Sequence, residues 1–198
     1  MRNLSAYLSG LLILLSVSRP VSAQLHQAGQ SAFEVSVGAL DGFRLPGQDN
    51  FGYFAGVSYS RYRSRYTYWK AGAHLNAKRY AYDVSRVPLN QYLGELEMYT
   101  RVFGRVSRGF VLNAGLGAAG GYEQINEDRP QIQDAIIHNR SNWVAGPTLA
   151  LEGEYLVSGR LILLARAKEY YLFRSNVVRT RFNLGIGIKF ILPTSSDE

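Results

Sequence analysis

The sequence predicts an all-β protein: an eight-stranded antiparallel up-and-down transmembrane β-barrel of the outer-membrane type, preceded by a cleaved signal peptide. Three observations support this fold class. Apolar and polar residues alternate with a period of two in eight segments. Aromatic residues recur near the ends of those segments, and short and long connections alternate between them. The 20 Gly, 14 Tyr and 9 Phe in 198 residues also favour strands and turns over helices.

The first 23 residues have the pattern of a signal peptide. Arg2 precedes a short apolar stretch at residues 8–17, and a small-residue cleavage site ends at Ala23. The apolar stretch is too short for the alternative, an N-terminal membrane anchor, which needs about 20 residues. We therefore expect a barrel over residues 24–192 and a polar tail over residues 193–198, exported to the bacterial outer membrane. Cys is absent, so neither a disulfide nor a lipidated Cys is expected.

Each strand is predicted from one alternating segment, and the last segment is the clearest. From Val178 to Phe190 the even positions are apolar apart from Thr180, whereas the odd positions carry Arg, Asn, Gly and Lys. At about 3.3 Å per residue this segment is long for a soluble strand but suits a tilted membrane crossing. In chain order, the eight segments cover residues 33–39, 51–60, 69–78, 92–98, 110–122, 143–155, 161–168 and 178–190.

The two faces of these strands are predicted to meet different environments. We expect the apolar face to contact lipid and the charged face to line the lumen, where opposite charges pair because an unpaired buried charge is costly. The predicted lumen charge network is Glu34, Glu95, Glu97, Glu152, Glu154, Lys70, Arg166, Lys168, Arg179, Arg181 and Lys189. The predicted lipid-facing and girdle residues are Phe33, Phe51, Trp69, Tyr122, Trp143, Phe182 and Phe190. A soluble periplasmic barrel, with its charged face in water, is the competing interpretation.

The connections between the predicted strands alternate in length. Those expected to be short periplasmic turns are residues 61–66, 104–109 and 157–160. Those expected to be mostly longer extracellular loops are residues 41–50, 81–89, 123–141 and 171–177. Long loops on a rigid scaffold commonly carry binding function, so the connection at residues 123–141 is predicted to face a partner.

Two patterns that suggest chemistry have structural explanations. Residues 115–120 match G-x-G-x-x-G, but a nucleotide fingerprint requires a helix after the strand, and here the strand pattern continues to Tyr122. The three histidines, His26, His74 and His138, have no second His or carboxylate at metal-ligand spacing. We therefore expect no enzymatic activity, no cofactor, no metal and no small-molecule substrate.

Two charged patterns carry alternatives. Two pairs of glutamates stand two residues apart and share a strand face: Glu95 with Glu97, and Glu152 with Glu154. Structural salt bridges are expected there, and an ion-selecting lining is the alternative. A basic, aromatic turn lies at residues 61–66, and its arginines are Arg61, Arg63 and Arg65. At a periplasmic turn this group favours an anchor or a partner contact over nucleic-acid binding.

Similarity to a known family runs along nearly the whole mature chain. The segments that carry it are LDGFRLPG at 40–47, KRY at 78–80, GLGAAGGYE at 115–123 followed by Ile125 and Asn126, residues 149–156, the seventh strand, and LGIGIKFI at 184–191. In this order and spacing they resemble the TraO proteins of Bacteroidetes conjugative transposons. The resemblance implies an accessory outer-membrane component of a conjugation apparatus, with other apparatus proteins as partners and no catalytic motif.

The leading functional interpretation is therefore a structural or interaction protein. It would contact outer-membrane lipid with its wall and other conjugation proteins with its loops, and direct nucleic-acid binding is not expected. The alternatives are a small outer-membrane channel or transporter and a soluble periplasmic β-barrel binding protein. Eight strands normally enclose an interior that side chains fill, which disfavours a conducting pore.

Overall fold

Eight antiparallel strands close into a barrel in the computed structural model of the protein. The structure describes residues 26–42, 52–82, 85–129, 131–132, 135–136 and 141–193. The strands are β1 Ser31–Leu40, β2 Gly52–Tyr62, β3 Thr67–Tyr82, β4 Ser85–Arg105, β5 Phe110–Ile125, β6 Asn142–Leu156, β7 Leu161–Tyr171 and β8 Thr180–Ile191. The predicted signal peptide, the predicted girdle residue Phe51, His138 and residues 194–198 of the predicted tail lie outside the described residues.

Every barrel strand pairs with its neighbours along the chain, and β8 pairs with β1 to close the sheet. The closing register sets Phe33 opposite Phe190 and Val37 opposite Ile186. Directly opposed residues share a face of the sheet. These registers therefore align the apolar positions of all eight strands on one face of the wall and the polar positions on the other. The prediction of an eight-stranded up-and-down barrel is confirmed. None of the helices in the described residues is long and apolar enough to cross a membrane.

The alternation separates a buried, charged interior from an exposed, apolar exterior. In β1, Glu34 is 0% exposed, whereas its neighbours Phe33 and Val35 are 42% and 44% exposed. Ionisable side chains inside and apolar side chains outside are the reverse of a soluble barrel, whose apolar face fills the core. They match a barrel whose exterior contacts hydrocarbon. The fold is therefore of the transmembrane, outer-membrane type.

The two ends of the barrel differ in their connections. The turns at 63–66, 106–109 and 157–160 are short and lie at one end; the second contains the 3-10 helix Val106–Arg108. Short turns face the periplasm in barrels of this class, so we refer to this end as the periplasmic end. The opposite, outer end carries a 3-10 helix at Asn126–Asp128 and a small ribbon in which Gln131–Ile132 pairs with Ala135–Ile136. Both lie within the long connection predicted at residues 123–141.

The connection predicted at residues 81–89 is not a long loop. β3 and β4 continue as a paired hairpin, with Tyr80 opposite Val87 and Ala81 opposite Arg86. Pro88 is tolerated in this strand because the pairing of β4 with β5 begins only at Leu89, so β4 is an edge strand at the proline. The hairpin therefore extends past the point where β5 joins the wall.

Small residues on the inner face make room for the long side chains opposite them. A Cβ at Gly115 would lie 2.5 Å from Cε1 of Tyr99, which is closer than real contacts allow. The Tyr99 ring therefore lies flat over the backbone of β5, and any side chain at Gly115 would displace it. The Gly-rich run at residues 115–120 lies wholly within β5, with no helix following it directly.

Candidate functional site in the lumen and at its two ends

An inner cluster of acids and bases fills the part of the lumen nearest the periplasmic end. Its members are Glu34, Glu152, Glu154, Lys70, Arg166 and Lys189, all of them buried. Glu152 is the centre: its Oε1 accepts hydrogen bonds from the Tyr68 hydroxyl and from Lys189 Nζ, both at 2.8 Å. Its Oε2 accepts hydrogen bonds from Lys70 and from Arg166. Three carboxylates therefore meet three cations, and the formal charges balance.

The strand registers explain why these side chains meet. Glu34 on β1 is directly opposite Lys189 on β8, and Glu152 on β6 is directly opposite Arg166 on β7. Lys70 projects from β3, which is adjacent to neither β1 nor β6, and its Nζ lies 2.8 Å from Glu34 Oε2. An eight-stranded lumen is narrow enough for such contacts between separated strands. The inner cluster thus ties together strands that share no backbone hydrogen bonds.

A middle cluster lies next to the inner one, further from the periplasmic end. Lys168 Nζ contacts Glu95 and lies 2.9 Å from Glu97. The hydroxyl of Tyr170 donates to Glu95 at 2.6 Å, and Nε2 of His74 lies 3.3 Å from the same carboxylate. Two acids here face one lysine, and a buried imidazole is placed beside the remaining negative charge.

His26 closes the periplasmic end of the lumen. Its ring stacks on Tyr62 with the centroids 4.7 Å apart. Its Nε2 lies 3.0 Å from Glu154 Oε2, and its Nδ1 lies 2.8 Å from Arg101 Nη2. Sequence reasoning did not place His26 in the lumen because it precedes β1, where the alternation gives no information.

Three tyrosines extend the closure inward from His26. The rings of Tyr62 and Tyr68, and those of Tyr68 and Tyr99, lie with their centroids 5.0 Å apart. The inner cluster rests against them: Lys70 Nζ is 4.6 Å from the Tyr99 ring centroid and Lys189 Nζ is 4.8 Å from that of Tyr68. Cations over aromatic faces are attracted by the ring quadrupole, so the stack stabilises the charges as well as excluding water.

Asp41 organises the outer end of the lumen. Its carboxylate accepts hydrogen bonds from Lys78 Nζ at 2.9 Å, from Arg181 Nη1 at 2.8 Å and from the backbone N–H of Phe182 at 3.0 Å. Partial burial raises the pKa of this carboxyl, but the bonds from Lys78, Phe182 and Arg181 outweigh that effect and hold its pKa below the ordinary value. Arg181 also donates to the Tyr80 hydroxyl at 2.6 Å.

The structure places the predicted lumen network inside the barrel, with one exception. Arg179 is exposed and precedes Thr180, the first residue of β8. Its prediction as a lumen residue is wrong because Tyr171 and Thr180 are the last residue pair of β7 and β8. The N–H of Leu172 still donates to the carbonyl of Arg179 at 2.7 Å, but the side chain of Arg179 lies beyond the part of the wall that encloses the lumen and is exposed.

The described girdle residues lie on the outer face. Exposed side chains there include Phe33, Trp69, Trp143, Phe182 and Phe190. Tyr122 is half-buried, with its ring centroid 5.7 Å from that of Trp143 in an edge-on contact. Trp69 stands near the periplasmic end and Trp143 at the outer end, so the two tryptophans mark the two rims.

The glutamate pairs singled out by their spacing take part in the ion pairs of the inner and middle clusters. Buried carboxylates with such partners are held in one orientation, which suits a rigid interior. Within the described residues, no three His, Asp or Glu side chains converge in a way that could hold a metal ion.

Solved structures with a similar fold include two bacterial proteins. Neisserial surface protein A is 10% identical, with a TM-score of 0.56 over 81% of this chain and 95% of that chain. Ail, the attachment invasion locus protein of Yersinia pestis, is 11% identical, with a TM-score of 0.51 over 84% of this chain and 100% of that chain. At these identities the similarity shows the fold alone. Among curated proteins, none matches the sequence significantly.

Fold and lumen together define the class: a small transmembrane β-barrel of the outer-membrane type, whose interior holds buried, paired charges. A family model described as conjugative transposon protein TraO matches residues 28–192. The match begins just before β1 and ends just after β8, and so includes the whole barrel. The chain belongs to the TraO family, and the resemblance seen in the sequence is confirmed.

Proposed function

We propose that the protein is a non-catalytic structural component of a conjugative DNA-transfer apparatus. Its signal peptide directs export, and the barrel then contacts other apparatus proteins through its outer loops and periplasmic turns. Membership of the TraO family supports the link with conjugation. The observation that carries the structural role is the closed lumen, which ion pairs cross at two levels and His26 closes at the periplasmic end. Such a barrel offers its ends and its wall, not its interior, to other molecules.

The long connection after β5 is the proposed partner-facing element at the outer end. Its base is held by the barrel: Glu123 accepts hydrogen bonds from Gln91 and Ser175 at 2.8 Å, and Ser141 accepts one from the N–H of Ile125 at 3.0 Å. Beyond this base, the charged residues 127–129 are exposed. Loops whose ends are fixed by a rigid scaffold and whose exposed part carries charge commonly serve in recognition.

A transfer assay tests both parts of the proposal. Deleting the gene in a donor strain should lower the frequency of DNA transfer, and supplying the wild-type gene in trans should restore it. A variant in which a Gly-Ser linker replaces residues 130–140 should fold but fail to restore transfer. A second variant, with the linker in place of residues 43–50, shortens a different outer connection and shows whether any loss of transfer is specific to the connection after β5.

Heat-modifiable mobility in gels separates folding from function in these strains. Unchanged transfer after gene deletion would refute the role in conjugation. Restored transfer by a folded 130–140 variant would refute the loop assignment alone. Recovery of the same apparatus proteins with the wild-type and the 130–140 variant in pull-downs would also count against the loop.

The alternative of a small channel makes a different electrical prediction. Because paired charges and aromatic rings fill the lumen, we expect no large, steady conductance in planar bilayers. A steady conductance that disappears on adding the substitution Glu152→Gln would favour the channel over the structural role, since Glu152 lies at the centre of the inner cluster.

A further inference from the structure

Basic residues are sorted by type between the interior and the surface. All four lysines of the chain, Lys70, Lys78, Lys168 and Lys189, have side chains at most 11% exposed. In the part of the chain that the structure describes, the exposed basic residues are all arginines. Arginine differs from lysine in presenting a planar fork of donors that matches phosphate and carboxylate groups. The surface therefore carries cations of the type suited to oxyanions.

Six of these arginines form a ring at the periplasmic end. The arginine ring consists of Arg61, Arg63, Arg65, Arg105, Arg108 and Arg160. Each of the three short turns, or the strand end beside it, contributes at least one member, so the ring extends along the periplasmic end from β2 to β7. The described residues beside the periplasmic ends of β1 and β8 add no arginine to it. No Asp or Glu is exposed among the described residues of this end. At the outer end, by contrast, exposed arginines are mixed with acids, as in the ion pair of Arg129 with Glu127 at 3.1 Å.

The register places part of the ring on the lipid-facing wall. Arg61 is directly opposite Trp69, and Arg105 is directly opposite Phe110. Opposed residues share a face, and the two aromatic side chains are 42% and 43% exposed on the apolar exterior. Exposed aromatics of this kind lie at the boundary between hydrocarbon and head groups. The adjoining guanidinium groups therefore stand at the depth of the lipid phosphates.

We propose that the arginine ring binds the phosphate groups of anionic phospholipids in the leaflet that surrounds the periplasmic end. Arginines at three of the four places around this end fit a surrounding leaflet, because a protein partner usually contacts one apolar patch with few charges at its centre. The lumen beneath the ring is closed by His26 and Tyr62, so no extended ligand can enter there. This proposal concerns lipid selection and stands apart from the role in conjugation.

The two tryptophans allow each end to be measured separately. The full mature barrel is reconstituted in phosphatidylcholine nanodiscs containing a minor fraction of either brominated phosphatidylglycerol or brominated phosphatidylcholine. Bromine quenches nearby tryptophan, so the quenching ratio of the two lipids reports local enrichment. In Trp143→Phe, which retains Trp69, we expect brominated phosphatidylglycerol to quench at least about twice as strongly as brominated phosphatidylcholine. The reason is that each basic residue near a membrane surface attracts anionic lipids substantially. In Trp69→Phe, which retains Trp143, the ratio should be near one.

Salt and a matched pair of variants complete the test. The ratio at Trp69 should fall toward one between about 10 mM and about 1 M NaCl, as the Debye length drops from about 30 Å to about 3 Å. Changing Arg61, Arg105, Arg108 and Arg160 together to Gln should lower the ratio at Trp69 most of the way to one, since only two of the six ring arginines remain. The same change at the four outer arginines, Arg79, Arg129, Arg174 and Arg179, should leave it intact.

Two results would overturn the proposal. One is an equal ratio at both tryptophans, and the other is a ratio at Trp69 that the ring variant leaves unchanged. Nucleic acid is tested as the rival ligand by the anisotropy of a labelled single-stranded oligonucleotide in pure phosphatidylcholine discs. Ring-dependent binding of the oligonucleotide, together with no phosphatidylglycerol enrichment, would assign the ring to nucleic acid. Gel mobility confirms that each variant is folded.

Discussion

Glu152 illustrates how single residues make a charged lumen stable. Each of its carboxylate oxygens accepts hydrogen bonds from two different side chains, so neither is left without a donor. Removing an ion from water costs several kcal/mol unless partners replace the lost hydration. In this cluster every acid has a cation within contact distance, and the cost reappears only when one partner is taken away.

Lys189→Met tests this dependence with little change in side-chain volume. Lys189 lies 2.8 Å from Glu152 and also contacts Glu154, so the variant leaves two buried carboxylates short of a cation. We expect the free energy of unfolding to fall by about 3–5 kcal/mol. Urea unfolding in lipid vesicles, followed by tryptophan fluorescence, measures it. The double variant Lys189→Met/Glu154→Gln should recover part of the loss; a single-variant loss below about 1 kcal/mol would mean that the pairing contributes no more than a surface ion pair.

His26→Ala tests the closure of the periplasmic end. The variant removes a buried ring that stacks on Tyr62 and faces Glu154 and Arg101, leaving polar atoms without their partner. We expect a loss of about 1–3 kcal/mol in the free energy of unfolding. Gln27→Ala, at the exposed neighbouring position, should change it by less than about 0.5 kcal/mol. Equal stability of the two variants in urea unfolding would show that His26 contributes nothing to the closure.

At the scale of elements, Asp41 joins three strands that meet at the outer end. It follows β1, and its carboxylate binds Lys78 of β3 and the side chain and backbone of two residues of β8. Its φ of 54° is a left-handed conformation, which Asp and Asn tolerate better than most residues. Asp41→Asn therefore removes the charge without straining the backbone.

The depressed pKa of Asp41 predicts how stability depends on pH. A carboxyl whose folded pKa lies below its unfolded value of 3.8 stabilises the fold above that value, and loses this contribution as pH falls through the folded pKa. The stability advantage of the wild type over Asp41→Asn should therefore be constant near neutral pH and shrink below about pH 4. Unfolding curves of both proteins across this range measure it. An advantage that persists unchanged at the lowest pH would contradict the ionic origin.

The centres of the strands were predictable from the sequence, whereas their ends were not. From Phe182 to Phe190 the side-chain period of two alone assigns each residue to lumen or lipid, because one face must be apolar. At the strand ends the period is less informative: Arg179 lies one residue past the last β7–β8 pair, and its side chain is exposed although the period assigns it to the lumen. The β3–β4 hairpin is predicted as a loop because residues 81–89 lack a clear alternation and contain Pro88, yet the two strands pair there. His26 depends on tertiary packing, which periodicity does not encode.

At the scale of the whole molecule, the barrel has two different ends on one wall. Among the described residues, the periplasmic end has short turns, a closed lumen and exposed arginines without exposed acids, and the outer end has longer connections of mixed charge. The wall between them is apolar, and exposed aromatic side chains lie at both of its rims. The two ends of the barrel therefore present different surfaces.

The apolar wall makes the most direct prediction about the molecule as a whole. Ile186 lies midway along β8 and is 67% exposed, so Ile186→Arg places a charge where the hydrocarbon is deepest. In lipid vesicles the free energy of unfolding should fall by about 2–4 kcal/mol. The matched control Val178→Arg, at an exposed residue just before β8, should cost at most about 1 kcal/mol because it lies near the outer interface. If the wall faced water, both substitutions would change the free energy of unfolding very little. Equal and small effects in vesicles would therefore exclude a membrane-embedded wall.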